Sequence, residues 1–385
     1  MVAAPLRILV VTRSYPAPGR LYQYPFVHRR VLAYLAAGHQ VAVFRPADGD
    51  VEIFHYEGVT WHSGSTEVLR KLAERWQPDC IAVHGLSETL WPALEPLAAR
   101  YPIRAWLHGS EIPSFARQKA MALPDPRARD EALRQVDRRV SFWCELFARE
   151  LPHFALVFVS NASVEMMRED LGTCLDRVGY RVIANPIDTH LFTYTPKPDE
   201  QRHAILSIRP HDSPTYGNDL AVRVVLSLSE RAGFERYRFR FIGDGSLFDE
   251  TLGPIRRFGN VAIERRFLTQ PEIAEQHRSH GIFLVPTRLD TQGVSRDEAM
   301  ASGLVPVTNS VPAVLEFADQ SCAVIAPPDD WTAMADAISL MAHQPELFQV
   351  RSAAAAARVR AQSGTERIIP RELALLAAAG AHPSG

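Results

Sequence analysis

Apolar residues in this chain follow two alternating rhythms. Short, almost wholly apolar runs predict strands at Ile8–Val11, Gln40–Phe44, Cys80–His84, Ile103–Leu107 and Leu156–Ser160. Between them, apolar positions return every three or four residues, which predicts helices. Phe26–Ala37 is one such stretch, and Gly38 follows it as a natural stop. Strands apolar on every position belong to sheets covered on both faces, so the expected sheet is parallel with helices on each side.

The second half repeats the pattern. Expected strands are Ala204–Ile208, Tyr237–Ile242, Val261–Glu264, Ile282–Val285, Val305–Thr308 and Ala323–Ile325. Expected helices are Asp219–Ala232, Ser246–Arg257, Gln270–His277, Ser295–Ser302 and Trp331–Ala342. Prolines and polar residues cluster from Asn185 to Glu200. The chain therefore divides into a domain over 1–184, a linker over 185–200 and a domain over 201–362, with 363–385 a helix that crosses back to the first domain. At 385 residues, two domains can each bury a core.

Composition narrows the class. Apolar residues make up 46% and charged residues 22%, as in ordinary globular proteins. A net charge of −2 argues against a dedicated nucleic-acid binder. Cys80, Cys144, Cys174 and Cys322 form no Cys-x-x-Cys pair, and free thiols in a reducing cytoplasm are expected. No apolar run approaches the ~18 residues of a membrane span. Leu6–Arg13 is too short and too charged for a secretory signal and suits a buried first strand. No Walker A run is present, and no Gly-x-Gly-x-x-Gly follows the first strand.

The most informative chemistry lies in Pro286-Thr-Arg-Leu-Asp-Thr-Gln-Gly-Val-Ser-Arg-Asp-Glu298-Ala-Met-Ala-Ser-Gly-Leu-Val-Pro-Val307. Asp290 and Glu298 bracket a loop that carries Gly293, Val294 and Ser295. A helix starting there offers unpaired amides and the positive end of its dipole, which suits a phosphate or diphosphate. Glu298 can accept hydrogen bonds from a ribose. The same residues admit a second reading. Ser295-Arg-Asp-Glu298 has the spacing of a capping box, in which serine and glutamate serve only their own helix.

This segment resembles the acid-x7-acid signature of the retaining, family-4 glycosyltransferases, which ends in Ala-Met-Ala-x-Gly-x-Pro-Val. The resemblance implies a GT-B fold: two doubly wound Rossmann-like α/β domains facing each other across a cleft. It covers nearly the whole chain and is most specific between 280 and 318. It implies that Glu298 binds the donor ribose and that Asp290, with its loop, holds the donor sugar. Aspartate replaces the family's usual glutamate at the first acid. Asn185-Pro-Ile-Asp188, followed by Phe192, resembles the family's interdomain segment with proline in the glycine position.

Further residues match by the same resemblance. Arg209 ends a strand where the family keeps a diphosphate-binding arginine. The family's lysine, a few residues on, is replaced by Thr215 or Tyr216, leaving His211, Arg288 and Arg296 as candidates for a second cation. His108-Gly-Ser-Glu111 resembles the acceptor-side His-Gly-x-(Asp/Glu) loop, with His108 beside the donor sugar and Glu111 toward the acceptor. The loop Thr12–Phe26 stands for a glycine-rich family loop near the donor phosphates and acceptor. It holds Gly19 with Tyr15, Tyr22 and Tyr24, and is read either as an acceptor platform or as solvated aromatics. Gly243-Asp-Gly245 resembles a turn whose backbone lies near the nucleotide. Arg266, Phe267 and Leu268 resemble the segment whose main chain meets the base.

Arg117–Arg149 is arginine-rich with apolar residues at Val140, Phe142, Trp143, Leu146 and Phe147. It is either a peripheral contact with an anionic membrane or a solvated helix pair with core aromatics, the second being favoured. His277 and His280 are expected on the surface, not as metal ligands. The expected activity is metal-independent, retaining transfer of a sugar from a UDP- or GDP-sugar to the hydroxyl of a glycan, lipid-linked or small-molecule acceptor. Polysaccharide synthesis in the cytoplasm is the expected setting, with no cofactor, no metal and no nucleic-acid partner. A nucleotide-sugar epimerase and a catalytically weak binding subunit are the competing readings.

Overall fold

The computed structural model describes residues 4–149 and 151–380. They divide into two compact units. One holds the residues up to 120, 126–186 and those from 366 on; the other holds 121–125 and 187–365.

The first unit is built on eight strands: β1 (Arg7–Thr12), β2 (Gln40–Pro46), β3 (Glu52–Tyr56), β4 (Val59–Gly64), β5 (Cys80–His84), β6 (Ile103–Leu107), β7 (Phe154–Phe158) and β8 (Gly179–Val182). Their order is β3-β4-β2-β1-β5-β6-β7-β8, and every pair except β3–β4 is parallel. The sheet turns back on itself at β1: β2 lies to one side and β5 to the other. In open α/β sheets, such a switch point opens a crevice at the carboxyl ends of the strands.

Local differences from expectation have local causes. β3 and β4 form an edge hairpin through Glu57 (φ 42) and Gly58 (φ 79), the paired positive angles that a tight two-residue turn demands. Phe54 stacks on Trp61 across it at 4.1 Å. The expected Leu156–Ser160 strand runs Phe154–Phe158 instead; it ends two residues earlier because Ser160 leaves the strand to cap the helix Asn161–Leu171 by accepting from the Ser163 amide. The first helix, Pro25–Ala36, stops before Gly38 at φ 87.

The last helix, Thr365–Gly380, is tied into the first unit by a buried polar cluster. Arg30 Nε donates to Glu372 Oε1 at 2.9 Å, with both side chains fully buried. Tyr34 donates to the other oxygen at 2.5 Å, and Arg30 also donates to Asn185 Oδ1 at 3.0 Å.

The second unit has β9 (Ala204–Ile208), β10 (Arg238–Gly243), β11 (Val261–Arg265), β12 (Ile282–Leu284), β13 (Val305–Asn309) and β14 (Val324–Ala326). All are parallel, in the order β11-β10-β9-β12-β13-β14. Ile205, Ile282 and Leu284 pack on one face, while Leu206, Ile208 and Phe283 pack on the other. That alternation is the period of a strand with both faces covered, and each fully buried side chain of this size stabilises the fold by about 1.5–3 kcal/mol. The expected helix Ser246–Arg257 is shorter. It runs Phe248–Leu252 and tightens into a single turn at Gly253–Ile255, because Pro254 has no N–H to continue it.

His277 and His280 correct the surface expectation. His277 is fully buried beside Phe192 and Phe283, with its Nδ1 3.2 Å from Ser302 Oγ. His280 is also buried, its Nδ1 against the Gln276 carbonyl at 2.7 Å. The helix Gln270–Ser279 turns this end inward, and Lys197 Nζ donates to the His277 carbonyl at 2.6 Å. In the helix Pro126–Ala148, Trp143, Leu146 and Phe147 are core residues.

Candidate functional site

The second unit has its switch point between β9 and β12, on either side of which the chain turns toward β10 and β13. The loops leaving these two strands carry the sequence-flagged residues. Arg209 follows β9 directly. The helix Val294–Ala301 begins after the loop that follows β12. The two loops meet: Arg209 Nη1 donates to Ser295 Oγ at 3.3 Å. The buried Arg209 guanidinium lies 5.0 Å from the Tyr216 ring centre, in cation–π range.

The helix start decides between the two readings of Ser295-Arg-Asp-Glu298. The residue at the N-cap is Gly293, at φ 92 and ψ 56, and no side chain caps the helix. Ser295 and Glu298 therefore lie inside the helix and form no capping box. The first turn keeps its amides free of side-chain caps, as an anion-receiving helix start does. Asp290 shapes the approach. Its Oδ1 accepts from the amides of Thr291 and Gln292 at 2.8 and 3.1 Å, a tight turn that suits aspartate's short side chain. Glu298 is buried, with 8% of its surface exposed.

Glycines allow the close packing of these loops. A Cβ on Gly243 would stand 1.9 Å from the Arg209 carbonyl, and one on Gly245 would stand 2.4 Å from the carbonyl carbon of His211. The Gly-Asp-Gly turn is thus pressed against the Arg209–Asp212 loop and sets its course. Asn218 fixes the same loop through a bond to the Pro210 carbonyl at 2.8 Å. Asn309, at the end of β13, exchanges two bonds with the backbone of Thr287, at 2.7 and 2.5 Å. Sequence reasoning missed both asparagines. Their signal was only that each stands at the edge of an element next to a loop.

The three candidates for a second cation are all engaged within the protein. Arg288 makes two bonds to Asp219 at 2.7 and 2.8 Å and one to Asp329 at 2.9 Å. Arg296 is buried against Asp297 at 2.7 Å. Burial, then the neighbouring Arg209 charge, lowers the His211 pKa to about 4, so its ring is neutral at pH 7. Thr215 is buried, and its carbonyl accepts from the Arg288 amide at 2.9 Å. Leu268 is a core residue, and Arg266 is exposed and paired with Glu264 and Glu272. Phe267 and Val294 are half-buried.

The first unit has its own cluster at the carboxyl ends of β1, β5 and β6. His84 ends β5 and His108 follows β6; His84 Nδ1 lies 3.0 Å from His108 Nε2. Burial, reinforced by nearby arginines, holds both well below the usual histidine pKa, so both are neutral. Glu111 is almost fully buried. Its Oε2 accepts from the amides of His108 and Gly109 at 2.9 and 3.0 Å, and Oε1 from Ser110 Oγ at 3.2 Å and Tyr24 at 3.3 Å. Its carboxylate thus shapes the loop. Arg13, after β1, donates to Tyr24 at 2.8 Å and Ser110 Oγ at 2.9 Å.

The Thr12–Phe26 loop splits in role. Tyr15 is a core residue bonded to His28 at 2.7 Å. Tyr24 holds a left-handed backbone at φ 54, a strained setting for a bulky residue at a helix start. Tyr22 is half-buried, and Gly19, at φ 77, has open space around it. The sequence singled out neither His84 nor Arg13; one ends a central strand and the other follows one directly, which was the available signal.

Among the described residues, no group of three His, Cys, Asp or Glu side chains is placed to hold a metal ion. None of the described helices is long and apolar enough to cross a membrane.

Residues 203–344 match the family model described as Glycosyl transferases group 1. No curated protein matches the chain. Solved structures match over nearly its whole length. A sucrose-phosphate synthase from Thermosynechococcus elongatus superposes with a TM-score of 0.74 at 14% identity, covering 97% of this chain and 98% of that one. A glycosyltransferase from Rickettsia africae gives 0.69 at 13% identity, covering 98% and 99%. Anabaena HepE, solved in complex with UDP and glucose, gives 0.68 at 15% identity, covering 97% and 100%. Residues 203–344 are thus a glycosyl transferases group 1 segment, in a chain whose fold is the GT-B fold of glycosyltransferases.

Proposed function

We propose that this protein is a retaining glycosyltransferase that moves a sugar from a UDP- or GDP-sugar to an acceptor hydroxyl. The observation that carries the reading is the meeting of Arg209, Ser295 and an uncapped helix start at the switch point of the second unit's sheet. In this reading the amides of Gly293 to Ser295 receive the diphosphate and Glu298 receives the ribose hydroxyls. Asp290 shapes the turn beside the sugar. Gly243 keeps the Arg209 loop in place, and the main chain at Arg266, Phe267 and Leu268 borders the base. Arg209 offsets the charge that grows on the departing diphosphate. The bond from the anomeric carbon to the phosphate oxygen breaks, the acceptor oxygen bonds to that carbon on the same face, and the acceptor's proton passes to the phosphate. In the same reading His108 is the catalytic histidine beside the donor sugar, while Gly19, Tyr22 and Glu111 serve the acceptor. Chemistry of this kind needs no metal.

Purified protein given a panel of nucleotide sugars should release UDP or GDP, faster with acceptor present and undiminished by EDTA. Glu298→Ala should weaken nucleotide binding, whereas Arg209→Ala should lower turnover more than binding. Conversion of one nucleotide sugar into another without release would overturn the reading in favour of an epimerase. A second reading, a nucleotide-sugar-binding subunit with weak catalysis, is favoured by one observation: Thr215 stands in the lysine position while Arg288, Arg296 and His211 are engaged or neutral. Binding without turnover across the panel would establish it.

A further inference from the structure

Beneath the Gly293 turn lies a closed polar ring. Arg296 Nε and Nη2 donate to Asp297 Oδ1 at 3.0 and 2.7 Å. Gln292 Nε2 donates to Asp297 Oδ2 at 3.1 Å. Arg296 Nη2 also donates to the Gln292 carbonyl at 2.5 Å, which returns the ring to the turn. All three side chains are at most 2% exposed. Burial, the largest influence, resists ionisation of Asp297, and the Arg296 charge opposes it.

A buried ion pair between neighbours on one helix is a poor way to gain stability. Apolar residues of similar size often serve as well or better, because desolvation of the charges cancels much of their attraction. The ring instead fixes a conformation. Its bond to the Gln292 carbonyl sets the plane of the peptide between Gln292 and Gly293. The guanidinium fills the space behind Gly293, where a Cβ would meet Arg296 Cζ and Nη1 at 3.0 Å. Arg296 Nη1, the nitrogen that lies against Gly293, is buried with no hydrogen-bond partner among the described residues. Leaving such a donor unmet is costly, and an orphan donor of this kind in a native structure calls for an explanation such as strain, function or a bound water or ion.

We infer that Arg296, held by Asp297 and Gln292, is the positioning residue that keeps the Gly293 turn in its diphosphate-receiving form. The inference rests on the proposed nucleotide-sugar site and adds to it residues that touch the turn from behind. Its consequence is selective. Loosening the ring affects the terminal phosphate of a nucleoside diphosphate and spares the base, ribose and first phosphate.

The test replaces the ion pair by apolar residues, Arg296→Met with Asp297→Leu, which removes the ring without leaving a lone buried charge. Gln292→Leu is a second, milder variant that opens the ring on one side. Calorimetry measures the affinity of each for UDP and UMP, and for GDP and GMP, while thermal unfolding monitors the fold. The expected result is an unchanged or raised melting temperature, a loss of about tenfold or more for the diphosphate, equivalent to ~1.4 kcal/mol, and a monophosphate affinity held within about twofold. Wild-type protein that binds a nucleoside diphosphate, beside folded variants that bind both nucleotides normally or lose both equally, would overturn the inference and leave the proposed function standing. Wild-type protein that binds no nucleoside diphosphate would remove both together. If the double variant fails to fold, Gln292→Leu decides on the same ratio.

Discussion

Gly293→Ala is the sharpest single test of the turn. Gly293 sits at φ 92 and ψ 56, where an L-residue pays a steric cost of roughly 1–2 kcal/mol. The new methyl would also stand 3.0 Å from the Arg296 guanidinium and 3.2 Å from Asp290 Oδ2. Arg296 cannot swing aside without giving up charge-assisted bonds to Asp297, each worth about 1.5–3 kcal/mol. If one such bond is weakened by about half and not broken, the combined penalty is on the order of 2–3 kcal/mol. It divides between two readouts. If the turn holds its shape, the melting temperature falls by about 4–12 °C, at roughly 2–4 °C per kcal/mol for a domain of this size. If the turn relaxes, the protein keeps its stability and loses about thirty- to 150-fold in affinity for UDP or GDP. Gly259→Ala is the control, since that glycine has no positive φ and nothing within 4 Å of an added Cβ. A Gly293→Ala protein that melts and binds like wild type would refute the reasoning.

Two further outcomes follow from buried charge. Glu372→Leu strands the Arg30 guanidinium in the first unit's core and should cost about 3–5 kcal/mol, whereas Arg30→Met combined with Glu372→Gln, which keeps a partner for Tyr34, should recover most of that loss; equal melting temperatures for the single and double variants would contradict this. Burial, the leading cause in each case, lowers His28, His211 and His280 to about pKa 4 and His277 to about 3, below the unfolded value of about 6.5. Unfolding then takes up protons below pH 6.5, so stability is complete above that pH and is lost as the pH falls toward 4, by about 1.4 kcal/mol per pH unit for each histidine. Urea midpoints that stay level between pH 7 and pH 5 would rule this out.

The parts of the fold legible in the sequence were those governed by local physics. Nearly all-apolar runs such as Cys80–His84, Ile103–Leu107 and Ala204–Ile208 became strands at those same residues, because a strand buried on both faces leaves few polar positions to blur its ends. The hairpin of β3 and β4 was harder. It lies at a sheet edge, where β3 is largely exposed, so its apolar signal is diluted. Its clearest mark was the Glu57-Gly58 turn. The His277 and His280 error came from the opposite side. Two polar residues at a helix end suggest solvent, but the helix Gln270–Ser279 packs that end against Phe192 and Phe283, and a neutral imidazole tolerates the setting.

The candidate site was legible as a list and not as a mechanism of assembly. Asp290, Gly293, Ser295, Glu298 and Arg209 stood out because they match the acid-x7-acid resemblance and the arginine that ends a strand in that family, in or just after the loops that leave β9 and β12. What joins them is carried by residues with no signature of their own. Asn218 holds the Arg209 loop, Asn309 holds the loop after β12, and Gln292, Arg296 and Asp297 close beneath the turn. Read along the chain, Arg296 and Asp297 belong to an unremarkable charged step within a helix. Only the turn at Gly293, by placing the N-cap two residues before Ser295, carries both side chains inward. The same shift removes Ser295 from the capping position and leaves its hydroxyl to Arg209. One glycine in a left-handed conformation therefore decides both that Ser295 and Glu298 form no capping box and where the neighbouring charges go. That is why the turn, more than either acid, is the place to test the function.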